Sequence, residues 1–293
     1  MPPPRSIFCM ERDMRLLLSN DDGIDSPLFH ILVHALQAAG HDLFIVAPLH
    51  EQSWTGAAKS RHRPVASALA RRDFGCPAWT VDGTPADCVN IALAHLLPRH
   101  PAPTHDEPAA TRPDVDAVVS GINLGRNTSL GFILASGTIA AAWEGALHGL
   151  PAIAFSQELN QPLFVRLKNG EPIDAELGAT LQASAAHAVR LVNELLPPQL
   201  ATPAPFTVHN VNFPLPCRAD TPVHRTVPAQ VRVPGLFSPA ADDGTHRFIY
   251  SDAADLSPPG LVTDKATLAA GNISHSILDY TRLGAPVSGG RVS

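Results

Sequence analysis

Asp21 and Asp22 stand side by side directly behind an apolar run, MRLLLS, that ends at Ser19. Adjacent carboxylates at one point of a fold repel each other and call for a cation. Gly23 follows them, a residue type able to take backbone conformations closed to others. Three further segments repeat the pattern of an apolar run with polar groups behind it. Gln52 and Ser53 follow DLFIVAP (42–48) and offer neutral oxygen ligands or hydrogen-bonding groups. Asn123 and Asn127 lie in SGINLGRN, behind VDAVVS (115–120), and place amides in a glycine-containing loop that can approach a ligand closely. Ser136, Gly137 and Thr138 open ASGTIAAAWEGALHG, the start of a helix whose free N–H groups and dipole suit an anion. Carboxylates with neutral oxygens, and neither Cys nor a His ligand pair, select Mg2+ or Mn2+ over zinc. Such an ion can polarise a phosphoryl oxygen and lower the pKa of a bound water, while the helix start holds the remaining phosphate charge. Phosphate ester hydrolysis is the chemistry these residues suit.

The elements that must position them are also legible. MRLLLS and DLFIVAP read as strands buried on both faces. Between them Ser26 and Pro27 form an N-cap and first-turn pair, and apolar residues at helical spacing reach Ala39 before Gly40. Residues 14–48 are thus a βαβ unit, which crosses over right-handed between parallel strands. Thr84, Pro85 and Asp87 start a second helix reaching about Leu97, VDAVVS is a third strand, and AIAFS (152–156) is a fourth. The expected fold is α/β, a doubly wound, mostly parallel Rossmann-like sheet. Ligands of such sheets bind outside the carboxyl ends of the strands, where all four polar segments fall. Residues 1–13 are expected to be a disordered extension, 14–216 the catalytic core, and 217–293 a C-terminal hairpin or arm extension of the same domain. Pro-rich stretches at 98–113 and 197–205 are expected as surface loops.

Composition narrows the class. The chain has 293 residues, 45% of them hydrophobic, and a formal net charge of -6. No apolar run approaches the roughly 20 residues of a membrane span, and no export signal is visible, so a cytoplasmic protein is expected. The 21 basic residues are scattered apart from Lys59 to Arg63 and the pair Arg71 and Arg72, which argues against a nucleic-acid-coating surface. Cys9, Cys76, Cys88 and Cys217 lie far apart and form no CxxC pair, so neither a disulfide framework nor a zinc cluster is expected.

The segments LLLSNDDGIDSP, IVAPLHEQS, VDGTPADCVNIAL, DAVVSGINLGRN, SGTIAAAWEGALHGLPAIAFS and HNVNFP resemble, in this order, the motifs of the SurE family of nucleotidases. The resemblance spans most of residues 14–214. It implies a metal-dependent phosphomonoesterase acting on nucleoside 5′- and 3′-monophosphates, in some members also on short polyphosphate, through a metal-activated water. It also implies one divalent ion per subunit, held by Asp21, Asp22, Ser53 and Asn123, with Asn127, Ser136, Gly137 and Thr138 around the phosphate. Asp22, Asn127 and Ser136 are the catalytic candidates among these. A homodimer or homotetramer built through the C-terminal arm is implied as well.

The sequence departs from the family where Trp54 stands in place of a small residue, commonly Gly, where Ala135 replaces a Tyr, and where Ala140 replaces a Gly. ISHSIL (273–278) replaces the usual ending of the arm. Trp54 is expected to project either over the site, where it could stack on a nucleobase, or back into the core. Rival readings fail on single residues. A receiver module needs an Asp where the third strand ends, and Ser120 to Asn123 supply none. VDGTPAD imitates a haloacid-dehalogenase motif but has Thr80 where the nucleophilic Asp belongs. No G-x-G-x-x-G follows the first strand, as a dinucleotide-binding fold would require. His30 and His34 have zinc-protease spacing but lack the Glu after the first His. Ser53 and Ser136 lack a G-x-S-x-G context. His209 and His275 are read as lining the site or as structural.

Overall fold

The computed structural model describes residues 13–101, 111–232, 235–249 and 254–282. The expected disordered extension, apart from Asp13, and residues 102–110 of the first Pro-rich stretch lie outside them.

In chain order the elements are β1 (Arg15–Ser19), α1 (Pro27–Ala38), β2 (Asp42–Pro48), β3 (Ser67–Leu69), β4 (Ala78–Val81) and α2 (Pro85–Ile91), which continues as a π turn through Leu96. There follow β5 (Arg99–Pro101), β6 (Thr111–Pro113), β7 (Ala117–Leu124), α3 (Leu130–Ala135), α4 (Gly137–Leu147), β8 (Ala152–Gln157), α5 (Gln161–Lys168) and α6 (Ala175–Ala201). The last described elements are β9 (Thr207–Phe213), β10 (Val223–Thr226), α7 (Asp264–Ala269), β11 (Ile273–Asp279) and a 3-10 turn over Tyr280–Arg282.

Nine strands form one sheet in the order β10-β11-β9-β8-β7-β1-β2-β4-β3, while β5 and β6 pair separately as a ribbon. Within the nine-stranded sheet all pairs from β9 through β4 are parallel, as is β10 with β11, while β3 against β4 and β11 against β9 run antiparallel. The doubly wound, mostly parallel sheet expected from the sequence is therefore the observed fold. Side-chain alternation divides its core in two. Leu16 and Leu18 face a layer with α1 and α6, whereas Leu17 faces α2 and α4 together with Val118. The chain runs from β1 outward to β2 on one side and returns to β7 on the other, so the crevice between β1 and β7 is the topological switch point.

The start of α2 is as expected. Thr84 Oγ1 accepts from the Asp87 N–H at 3.1 Å, and an Asp87 carboxylate oxygen accepts from the Thr84 N–H at 3.0 Å. Ser26 does precede α1, but its hydroxyl makes no cap bond and is buried without a partner. The second Pro-rich stretch differs from expectation. α6 runs 27 residues and includes Pro197 and Pro198, because Leu191, Val192 and Leu196 bury its face against the core and packing outweighs the proline penalty. The C-terminal region enters the sheet itself: ISHSIL lies in β11, which pairs with β9 over Thr207 to Asn212. A short hairpin from Leu236 to Ile249 is closed by the Phe237–Phe248 bridge.

Candidate active site

The ends of β1, β2 and β7 and the start of α4 converge on a cleft of about 670 Å³. Asp21, Ser53, Asn123, Asn127 and Ser136 line its polar end.

Asp21 is buried and Asp22 partly buried behind β1. Gly23 turns the chain there at φ 90°, a left-handed value that favours glycine. Asp22 accepts a 2.8 Å bond from the Leu124 N–H at the end of β7. Asp21 accepts from the Thr138 hydroxyl at 2.5 Å. Burial raises the Asp21 carboxyl to about 6, and burial followed by the charge of Asp21 raises Asp22. The pair is thus electrostatically unfavourable by itself, which is the condition a bound cation relieves.

Neutral donors complete the set. Asn123 gives its side-chain N–H to the Gly125 carbonyl at 2.7 Å, which fixes the amide and leaves its oxygen as the accepting end. A register shift between β7 and β8, falling between Ser120 and Asn123, re-aims this strand end. Ser53 donates to Glu51 at 2.5 Å, and Glu51 also pairs with Lys168. Against burial that would raise it, Lys168 and Ser53 hold the Glu51 carboxyl below its ordinary value. Among the described residues no group of three or more His, Cys, Asp or Glu could hold a metal. A cation here would rest on two carboxylates and neutral oxygens, a donor set that fits a hard divalent ion.

The anion side is built by α4. Ser136 is its N-cap, and its Oγ accepts from the Ile139 N–H at 3.1 Å, leaving the hydroxyl hydrogen for a ligand oxygen. The small residues Ala141, Ala142 and Gly145 let α4 lie close against β7, which brings its start beside β1. At Gly137 a Cβ would meet the Asp21 Cβ at 2.8 Å, so a larger residue would push the carboxylate away. Thr138 has no exposed surface and lies between Asp21 and Asn127. Its side chain therefore reaches a phosphate only through those neighbours, unlike that of Ser136.

Asn127 donates to Ser156 Oγ at 2.9 Å. Its own peptide is gripped from β9. Asn212 Oδ1 accepts from the Asn127 N–H at 2.7 Å, and the side-chain N–H groups of Asn212 and Asn210 donate to the Asn127 carbonyl at 3.2 and 3.0 Å. The motif HNVNFP carried the signal for this grip, two asparagines two apart on one face of a buried strand, but sequence reasoning gave them no role. Glu51, Lys168 and Asp264 were missed as well. Asp264 accepts from the Ser129 N–H at 2.8 Å and so ties the loop after Asn127 to α7.

The remaining expectations fall elsewhere. Gln52 is linked to the site by its backbone N–H, which donates to the Asp21 carbonyl at 2.8 Å. His30 bonds the Ile24 carbonyl. His209 and His275 form a buried pair at 2.8 Å between β9 and β11 and do not line the cleft. Trp54 lies at the cleft, 42% exposed, with φ 65°.

This is a doubly wound α/β protein with a carboxylate pair and the N-terminus of α4 at its switch point. A family model described as Survival protein SurE matches residues 16–233, and the chain belongs to that family. Proteins named 5′-nucleotidase SurE are similar to it. That of Desulforudis audaxviator (strain MP104C) is 44% identical over 144 residues, 49% of this chain and 50% of that protein. That of Nostoc sp. (strain PCC 7120 / SAG 25.82 / UTEX 2576) is 37% identical, covering 69% of this chain and 64% of that protein. The chain thus spans between half and two thirds of the length of these two. The protein of Solidesulfovibrio magneticus (strain ATCC 700980 / DSM 13731 / RS-1) is 34% identical over 91% of this chain and 92% of its own. The crystal structure of the SurE protein from Aquifex aeolicus matches with a TM-score of 0.61 and 25% identity, covering 92% of this chain and 96% of that one.

Proposed function

We propose that the protein is a metal-dependent phosphomonoesterase that hydrolyses nucleoside 5′-monophosphates to nucleoside and phosphate. 3′-Monophosphates and short polyphosphate are further candidate substrates by family resemblance. The observation that carries the reading is Asp21, with Asp22 beside it in the chain, set at the cleft against the start of α4 and bonded there by Thr138.

Asp21, Asp22, Ser53 and Asn123 would hold one Mg2+ or Mn2+. Bound there, the ion supplies Lewis acidity at a phosphoryl oxygen and lowers the pKa of water. The hydroxyl of Ser136 and the Gly137 N–H at the start of α4 bind the other phosphoryl oxygens and stabilise the charge that grows on them. Asn127, fixed by Ser156 and β9, presents its amide at the same wall. Water adds to phosphorus, the P–O bond to the ribose breaks, and the alcohol leaves with a proton. Among the described residues no helix is long and apolar enough to cross a membrane. Family resemblance is the ground for reading the protein as a homodimer or homotetramer.

The test is release of inorganic phosphate from a panel of nucleoside monophosphates and polyphosphate, with and without chelator. The reading expects release from the monophosphates that stops with chelator and returns with Mg2+ or Mn2+. Undiminished turnover in excess chelator contradicts it.

A further inference from the structure

The cleft has two unlike ends. Besides Asp21 and Ser136, apolar and aromatic side chains line it, Trp54, Phe132, Phe248 and Val231 among them. Trp54 comes from the loop after β2, Phe132 from α3, and Phe248 from the hairpin that spans Leu236 to Ile249. The Trp54 ring meets Phe132 edge-on at 5.5 Å and 84°, and meets Phe248 at 4.8 Å and 60°. Phe237 in turn braces Phe248 at 5.8 Å. These contacts hold Trp54 from two sides and still leave 42% of it exposed at the cleft.

The backbone at Trp54 points the same way. Its φ of 65° lies in the left-handed region, where an indole side chain costs energy that glycine does not. The loop is nonetheless pinned on both sides of it: the Gln52 N–H donates to the Asp21 carbonyl at 2.8 Å before it, and the Gly56 N–H donates to the Ala135 carbonyl at 2.9 Å after it. A large ring held in a disfavoured conformation, braced edge-on and open to the cleft, is a surface on which a flat ligand group can lie.

We infer that Trp54, braced by Phe132 and Phe248, is a nucleobase subsite, so that part of the substrate selectivity comes from a hairpin beyond the family-matched residues 16–233. The inference rests on the reading of the polar end as a nucleotide phosphatase centre and adds what recognises the other end of the substrate. Stacking is available to every base, and the larger purine surface gains more of it, so purine monophosphates are favoured over pyrimidine ones.

The experiment compares AMP with ribose 5-phosphate, which lacks a base, in wild type, Trp54→Gly and Phe248→Ala. Adenosine binding is measured by calorimetry on the same proteins. Glycine suits the backbone at position 54, so that variant separates loss of the ring from loss of the fold. The subsite predicts a KM for AMP about tenfold higher in Trp54→Gly, within the range that base stacking supplies. Phe248→Ala should give a smaller rise, kcat/KM for ribose 5-phosphate should stay within about twofold, and adenosine binding should weaken in parallel. Equal changes on both substrates, or adenosine binding that ignores both substitutions, would overturn it. Should wild type release phosphate from neither substrate while adenosine binding still depends on Trp54, the phosphatase reading fails and the subsite stands.

Discussion

At the scale of single residues, Ser136 and Thr138 divide the labour that their shared motif suggests they have in common. Ser136 borders the cleft and Thr138 lies behind it, against Asp21. Ser136→Ala should lower kcat/KM by about 30- to 1000-fold, the loss of one donor to a charged oxygen, while the Mg2+ dependence keeps its midpoint. Thr138→Val should instead move that midpoint to higher Mg2+, because it strips Asp21 of its hydroxyl donor. Kinetics over a Mg2+ titration separate the two, and a Thr138→Val enzyme with an unshifted midpoint contradicts the assignment. The positions of Asp21, Asp22, Ser53, Asn123, Asn127 and Ser136 at strand ends and a helix start were legible in the sequence because each follows an apolar run that reads as a buried strand or opens a small-residue helix. The difference between Ser136 and Thr138 was not, since it depends on the direction in which each side chain leaves the first turn of α4.

Among the elements, β9 does more than close the sheet. Asn212 contacts both sides of the Asn127 peptide, and Asn210 adds a second donor to its carbonyl; both asparagines are fully buried. Under the proposed function they would act on the reaction by positioning Asn127. Asn212→Ala should lower kcat at least tenfold with a smaller change in KM. Asn212→Asp, which keeps the acceptor for the Asn127 N–H, should recover part of that loss. If the two variants lose kcat equally, and in proportion to their melting temperatures, the role is merely structural. The strands and helices around the site could be read from apolar runs, Thr84 with Asp87, and glycine stops. Elements made by long-range packing could not. Pro197 and Pro198 lie within α6 only because the buried face of the helix extends to Leu196, and ISHSIL becomes β11 only because β9 offers it an edge.

The whole molecule depends on its C-terminal region more than its irregular composition suggests. β11 pairs with β9, and across that seam lie His209 and His275, with Gln199 on one ring and Arg225 beside the other. Burial and then Arg225 lower His209 to about 4, while burial, then His209 and Arg225, lower His275 to about 3. The unfolded chain takes up these protons near the ordinary value of about 6.5 and the folded one does not. The pair therefore favours unfolding as pH falls below about 6.5, and has no such effect above it. Asp21 and Asp22, raised in the fold, act in the opposite sense, so the contribution of the pair is read as a difference. The unfolding free energy of wild type minus that of His209→Asn/His275→Asn, from urea titrations, should fall steadily between pH 7 and 5. A difference that is constant over that range contradicts the assignment.

The proposed phosphate chemistry depends on a cation at the switch-point carboxylates. The most direct measurement is a titration of metal-free enzyme with Mn2+, following bound ion and phosphate release from AMP in the same samples, for wild type and Asp22→Asn. The expected result is one ion per chain, release that rises in step with occupancy, and an Asp22→Asn enzyme that loses both while its melting temperature without metal is no lower than that of wild type. Release that proceeds before any ion is bound, or an Asp22→Asn enzyme that binds Mn2+ and turns over as wild type does, would contradict it.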